Sequence, residues 1–308
     1  MNSSLSGAYR GRFAPSPSGP LHFGSLVAAL ASFLDAKSQS GQWLVRIEDI
    51  DTPRIVKGAS DLILKTLDAY GLHWDEEICY QSKQLDFYQH HLEPLLNANQ
   101  LYACQCTRKQ IKALGGIYNN ACRDINLPFD NQAIRIKQNY PVKTFNDAVQ
   151  GQVLVAETFA TEDYILKRRD GLFAYQLVVV LDDINQDITH IVRGADLLEP
   201  TVRQISLFKQ FNKKAPNFAH VPLVVAEPGF KLSKQNYAPS IDISKPQLAL
   251  YDALRFLGQN PPIDLIKENV ADLINWAVVH WDLTTVPRVN EIQLIKNDNA
   301  PHCQFLAL

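Results

Sequence analysis

The sequence predicts an α/β protein built on a parallel sheet, with a cysteine-bearing insertion in its middle and a small helical module near its C-terminal end. Three observations predict it. Short apolar strands alternate with amphipathic helical patterns early in the chain and again beyond the middle, as βαβ units require. Between those stretches the alternation gives way to polar, Gly- and Asn-containing sequence that holds Cys104, Cys106 and Cys122. After Lys234 two apolar helical patterns follow one another, Pro246 to Leu257 and Ile263 to Trp281.

Taken in order, Tyr9 to Ala14 reads as the first strand, and Pro15-Ser16-Pro17-Ser18-Gly19-Pro20 as a tight turn, since Pro presets φ and Gly tolerates the left-handed region. A helix opens near Gly24, with Leu26, Leu30, Phe33 and Leu34 forming one buried stripe. Trp43 to Ile47 is a second strand, and Ala59 to Tyr70 a helix stopped by Gly71. Residues 1–102 form the first half of the α/β domain on this reading, and 103–150 the insertion. Residues 151–240 complete the domain, with strands at Phe173 to Leu181, Ile188 to Val192 and Val221 to Ala226 and a helix over Leu197 to Phe211. Residues 241–308 make the helical module.

Composition narrows the function. A chain of 308 residues, 46% hydrophobic and 20% charged, belongs with folded globular proteins. Its longest apolar stretches, Leu26 to Leu34 and Leu177 to Leu181, fall far short of the roughly 18 residues of a membrane span. The first residues lack a basic region followed by an apolar core, so a cytoplasmic location is expected. A net charge of -2 excludes coating of nucleic acid by bulk charge, although a local basic groove stays open. Three of the five cysteines crowd together, which favours a metal over a disulfide framework.

Three constellations carry chemistry. In Arg12 to Ser25 a strand, a tight turn and a helix start direct free backbone N–H groups and the positive end of the helix dipole at one point, an anion site. His22 and Ser25 add donors there, and Gly24 lets a phosphate or a purine approach without a Cβ in the way. Lys231-Leu232-Ser233-Lys234, in a loop behind Pro228-Gly229, offers two lysines to a polyphosphate from another side. Glu48 and Arg193 stand where strands are expected to end, which is where α/β sheets bind ligands, and Tyr175 lies within the expected strand Phe173 to Leu181; a structural Glu48–Arg193 pair is the competing explanation.

Cys104-x-Cys106-x11-Tyr118-x3-Cys122 supplies three thiols, and no histidine occurs between His91 and His190. Tetrahedral zinc needs four ligands. Tyr118 is suitably placed, with Asp124 or a water as alternatives, and three unligated buried cysteines are the competing explanation.

His22-Phe23-Gly24-Ser25 resembles the HIGH signature, and Lys231-Leu232-Ser233-Lys234-Gln235 the KMSKS signature, of class I aminoacyl-tRNA synthetases. Within that class RFAPSPSGPLHFGS, VRIEDIDTPR, the segment from Tyr175 through VVLDDINQDITHIVRGADLL, and HVPLVV resemble glutamyl-tRNA synthetase over roughly residues 8–240. The Cys-x-Cys…Tyr-x3-Cys pattern and the short stretch after Lys234 narrow the resemblance to the glutamyl-Q tRNA(Asp) synthetases, shortened paralogues of that enzyme. The departures are Ser25 for the second His of HIGH, Leu232 for Met and Gln235 for the last Ser of KMSKS.

The resemblance implies a Rossmann-like catalytic domain that activates L-glutamate with ATP and transfers it to queuosine in the anticodon of aspartate tRNA. It places Arg12, Ala14, Ser16, Glu48, Tyr175 and Arg193 around glutamate, and His22, Gly24, Ser25, Lys231 and Lys234 at ATP, with His22 and Lys234 as the catalytic pair. It gives one structural zinc to Cys104, Cys106, Tyr118 and Cys122, and Mg²⁺ to the nucleotide. A monomer without membrane contact is expected. The alternative is a truncated glutamyl-tRNA synthetase that charges the 3′ end of a tRNA. A nucleotidyltransferase without a glutamate pocket and a catalytically silent tRNA-binding module are the readings further off.

Overall fold

The computed structural model describes residues 8–227, 229–231, 240–295 and 303–307. Strand β1 (Arg10–Phe13) pairs in parallel with β2 (Gln42–Ile47), and β2 with β3 (Cys79–Tyr80). On its other flank β1 lies against β9 (His190–Gly194), where Thr189 donates its backbone N–H to the Arg10 carbonyl at 2.9 Å. The sheet continues through β10 (Asn217–Val221) and β6 (Thr144–Asp147), both parallel, to an antiparallel edge strand β7 (Gly151–Leu154). The spatial order is therefore β3-β2-β1-β9-β10-β6-β7. The chain leaves β1 and β9 towards opposite sides, so their carboxyl ends flank a topological switch point, where open α/β sheets bind ligands.

Helix α1 (Phe23–Ser38) follows β1 and buries Leu26, Leu30, Phe33 and Leu34 as their spacing predicts. Ala29, Ala31 and Ala36 are buried as well, because α1 is enclosed by β1 and β9 on one side and by α8 (Pro246–Phe256) and α9 (Val270–His280) on the other. Small side chains let those helices approach. Helix α2 (Ala59–Ala69) ends where Gly71 turns at φ +70°, a conformation open to glycine without a Cβ clash.

Two expectations need correction. Phe173 to Leu181 is not a strand: α6 (Tyr175–Asn185) occupies it. Leu177 to Leu181 are all buried, and a short run apolar on every side suits a fully enclosed helix as well as a central strand. The C-terminal module is not helical throughout, since β13 (Glu291–Ile295) pairs in parallel with β11 (Leu223–Glu227) and β14 (Gln304–Ala307) pairs with β13. The expected helix at Ile263 to Trp281 is divided into a 3-10 turn at Ile263–Lys267 and α9, whose first turn is capped by the Asn269 side chain accepting from the Asp272 N–H at 2.9 Å.

The cysteine segment belongs to a small antiparallel sheet of β4 (Leu101–Cys104), β5 (Ala133–Ile136) and β8 (Ile165–Lys167), with α4 (Arg108–Ala113) between β4 and β5. The remaining helices are α3 (Leu85–Asn97), α5 (Glu157–Thr161) and α7 (Thr201–Gln210). Among the described residues no helix is long and apolar enough to cross a membrane.

Candidate active site and metal centre

A buried charge cluster joins β1, β2 and α6. Arg12 donates from Nε and Nη2 to the two oxygens of Asp183, at 3.1 and 3.3 Å, and Arg46 donates from Nη2 to the same carboxylate at 2.8 Å. All three side chains are at most 4% exposed. Burial alone would raise Asp183, but the two guanidinium groups overturn that and hold its carboxyl below the usual carboxylate range. The neighbouring Asp182 accepts from Gln81 Nε2 and Tyr88 Oη, each at 2.8 Å, with Arg46 Nε 3.6 Å away. There burial prevails over Arg46, and its pKa is raised.

Glu48 follows the end of β2, with one oxygen 4.0 Å from Arg46 Nη2. That oxygen is buried and has no hydrogen-bond partner among the described residues. Burial outweighs Arg46 and Arg12 and pushes the Glu48 carboxyl up to about 7. Tyr175 opens α6 and lies within electrostatic reach of Arg193, Glu48 and Arg12; burial raises its pKa. Arg193, on β9, donates from Nε to His220 Nε2 at 3.0 Å and from Nη2 to Thr201 Oγ1 at 2.7 Å and Gln204 Oε1 at 2.6 Å. Its Nη1 is buried without a partner among the described residues. The simple Glu48–Arg193 pair therefore does not form. Arg12, Glu48, Tyr175 and Arg193 instead surround one region that contains an unpaired acceptor and an unpaired donor.

The turn after β1 lies beside this region. Glu48 donates its backbone N–H to the Pro15 carbonyl at 3.0 Å and Val56 to the Pro17 carbonyl at 2.9 Å, which ties the turn to the chain beyond β2. Ala14 directly follows β1, and Ser16, His22, Gly24 and Ser25 line a cleft of about 190 Å³ with Gly194 and Asp196 behind it. His22 is the N-cap of α1: Nδ1 accepts from the Ser25 N–H at 3.3 Å, and Nε2 lies 3.0 Å from Ser25 Oγ. The histidine thus holds the helix start and the serine hydroxyl in place. The chain returns to this turn at Ser240, which bridges to His22, and at Ile241, whose N–H bonds the Leu21 carbonyl at 3.1 Å. Lys231 is described for its backbone alone, as part of β12 (Phe230–Lys231) hairpinned onto β11. Lys234 lies outside the described residues. A larger cavity of about 780 Å³, lined by Tyr9, His190, Lys213 and Lys214, opens near the N-terminal ends of β1 and β9, away from this cleft.

The sulfurs of Cys104, Cys106 and Cys122 lie within 4.8 Å of one another, those of Cys106 and Cys122 at 3.5 Å. Tetrahedral zinc with bonds of about 2.3 Å sets sulfurs about 3.8 Å apart, so the donor set fits a metal. Tyr118 Oη accepts from the Cys122 N–H at 2.8 Å, and Tyr118 packs in one buried cluster with Cys104 and Cys122, which brings the phenol beside the thiols. Arg135 stacks on the Tyr118 ring at 3.7 Å and donates to Cys104 Sγ at 3.2 Å.

Sequence reading passed over Arg46, Asp182, Asp183, Asp147 and His220. Adjacent aspartates at the end of an apolar run were the available signal, because buried carboxylates require partners.

The doubly wound sheet with a helix N-terminus at its switch point defines a Rossmann-like α/β domain. Residues 8–262 match the family described as tRNA synthetases class I (E and Q), catalytic domain. The chain belongs to that family. It is 52% identical to the glutamyl-Q tRNA(Asp) synthetase of Photobacterium profundum, over 94% of this chain and 93% of that protein. Identity to the protein of the same name from Shewanella amazonensis is 54%, over 92% and 96%. Among solved structures it is similar to a glutamate tRNA ligase from Elizabethkingia meningosepticum in complex with its amino acid, with TM-score 0.77, 26% identity, and coverage of 93% of this chain and 67% of that one.

Asp183→Asn removes the charge that compensates Arg12 and Arg46. The expected loss is about 3–5 kcal/mol, the usual consequence of leaving a buried ion uncompensated, read as a lower urea midpoint at constant slope.

Proposed function

We propose that the protein activates L-glutamate with ATP and transfers it to queuosine in the anticodon of aspartate tRNA. The observation that carries this reading is similarity over nearly the whole length to proteins named for that reaction, joined to a buried guanidinium donor and a buried carboxylate acceptor that have no partner among the described residues. An amino acid presents the complementary charges.

Glu48 takes the α-ammonium group, and Arg193 Nη1 and Arg12 take carboxylate oxygens, with Tyr175, Ala14 and Ser16 completing the walls. Arg12 keeps Nη1 for this purpose, because Asp183 engages only Nε and Nη2. ATP lies along the cleft at Gly24 and Ser25, its phosphates facing the N-terminus of α1, where free N–H groups and the helix dipole favour anions. The resemblance assigns Lys231 and Lys234 to the phosphates as well, and Mg²⁺ would accompany the nucleotide and neutralise phosphate charge. A glutamate carboxylate oxygen attacks the α-phosphorus and pyrophosphate departs. The queuosine hydroxyl then attacks the activated carbonyl, the new ester bond forms as the carbonyl–phosphate bond breaks, and the hydroxyl proton leaves with AMP. The protein orients both steps and stabilises charge, and no side chain serves as a nucleophile.

Zinc in the Cys104, Cys106, Tyr118 and Cys122 set would tie β4 to the loop after α4, a structural task. Purified protein should carry about one zinc by elemental analysis, and Cys104→Ser should lose it. Tyr118→Phe should weaken retention. Unchanged retention would give the fourth place to Asp124 or water.

Glu48 also sets a pH dependence. Its pKa is raised to about 7, whereas an ammonium group needs the ionised form, so binding is lost as pH falls through 7. Glutamate affinity should rise about tenfold from pH 6 to 8 and then level off. In Glu48→Gln that profile should be flat, as measured by glutamate-dependent ATP–pyrophosphate exchange.

The acceptor is tested with ATP, labelled glutamate and tRNA from cells that make queuosine and cells that cannot. Label should enter only the first pool, and nuclease digestion should place it on the anticodon fragment. Label on the terminal adenosine would instead establish a synthetase that charges the 3′ end.

A further inference from the structure

Arg193 is held from behind by a row of buried side chains that crosses three adjacent strands. His220 on β10 is the register partner of Arg193 on β9, and Phe218, two residues earlier on the same face, is the partner of Asp147 on β6. Asp147 Oδ2 lies 2.6 Å from His220 Nδ1, and His220 Nε2 lies 3.0 Å from Arg193 Nε. Asp147, His220 and Arg193 are at most 5% exposed. Both ends of the row constrain the imidazole. Guanidinium nitrogens only donate, so His220 Nε2 must be the bare, accepting nitrogen. Asp147 Oδ1 accepts the backbone N–H groups of Val149, Gln150 and His220 at 2.9 to 3.1 Å, as an ionised carboxylate does. Its other oxygen accepts from His220 Nδ1–H.

We propose that His220 and Asp147 are positioning residues for substrate recognition: the carboxylate fixes the Nδ1–H tautomer, and that tautomer orients the Arg193 guanidinium so that Nη1 faces the amino acid's carboxylate. The inference rests on the reading of Arg193 as a glutamate ligand. Thr201 and Gln204 hold Nη2 from the α7 side. With Nε and Nη2 both fastened, the planar fork cannot rotate, and the nitrogen left without a partner among the described residues is Nη1. A neutral imidazole is needed here, because an imidazolium would turn N–H against N–H. Burial, which outweighs the attraction of Asp147, pushes the His220 pKa down to about 4.

The test is ATP–pyrophosphate exchange with the full chain, resolved into KM for glutamate and KM for ATP. Wild type must show glutamate-dependent exchange; if it does not, the glutamate reading fails and the role of this row in glutamate recognition fails with it. Given that exchange, His220→Leu should raise KM for glutamate about 10- to 100-fold, by analogy with the loss seen when the partner that orients a metal-binding side chain is removed. KM for ATP should move less than about threefold. His220→Gln, whose amide can donate to Asp147 and accept from Arg193, should recover most of the loss. Asp147→Asn should reproduce it, because the amide donates to Nδ1 and drives the proton to Nε2. Unchanged KM for glutamate in folded His220→Leu, or equal loss in the Leu and Gln variants with KM for ATP rising in step, overturns the proposal. Should His220→Leu not fold, ¹⁵N spectra of wild type decide alone: a protonated Nδ1 and bare Nε2 support the proposal, and a protonated Nε2 overturns it.

Discussion

The site depends on the ionic knot that Asp183 ties between Arg12 and Arg46. A carboxylate and two guanidinium groups taken out of water would be prohibitively costly singly, and their mutual attraction is strong only because water is excluded. The knot has a directional effect as well as an energetic one. It fixes α6 against the first two strands, sets Tyr175 at the helix start beside the carboxyl ends of those strands, and leaves Glu48 among cations that only partly offset its burial. The pocket is thereby organised by interactions that lie behind its walls.

The same arrangement recurs on the other side of the switch point. Arg193 is tied to β10 and α7, as Arg12 is tied to α6, and in each case only part of the guanidinium is committed to these partners. Arginine suits this use because its five donors lie in one rigid plane, so fastening two nitrogens aims the third. Lysine could carry the charge but not the direction.

The cleft at the start of α1 works by different means. There the cleft owes its character to backbone groups at the start of α1, with His22 committed to capping that helix and Ser25 held by it. The cysteine module stands apart on its own small sheet, where Arg135 stacks on Tyr118 and reaches Cys104, so that one cation serves both the ring and the sulfur. Each unit solves locally the problem of burying polar or charged groups.

The sequence by itself determined the parts whose signal is local. The β1-turn-α1 motif, the α1 stripe of Leu26, Leu30, Phe33 and Leu34, and the grouping of Cys104, Cys106 and Cys122 with Tyr118 were all legible, because periodicity, turn chemistry and ligand spacing operate over a few residues. Glu48, Tyr175 and Arg193 were legible as candidates through motif likeness. Their partners were not. Leu177 to Leu181 reads equally well as a strand or an enclosed helix, and only the packing that surrounds α6 selects the helix. Asp183 with Arg12, and His220 with Arg193 and Asp147, are pairings across large sequence separations, and no local pattern announces them. Tertiary structure decided them because a buried charge takes whichever partner the fold brings within a few ångströms, and that proximity exists only once the sheet has closed.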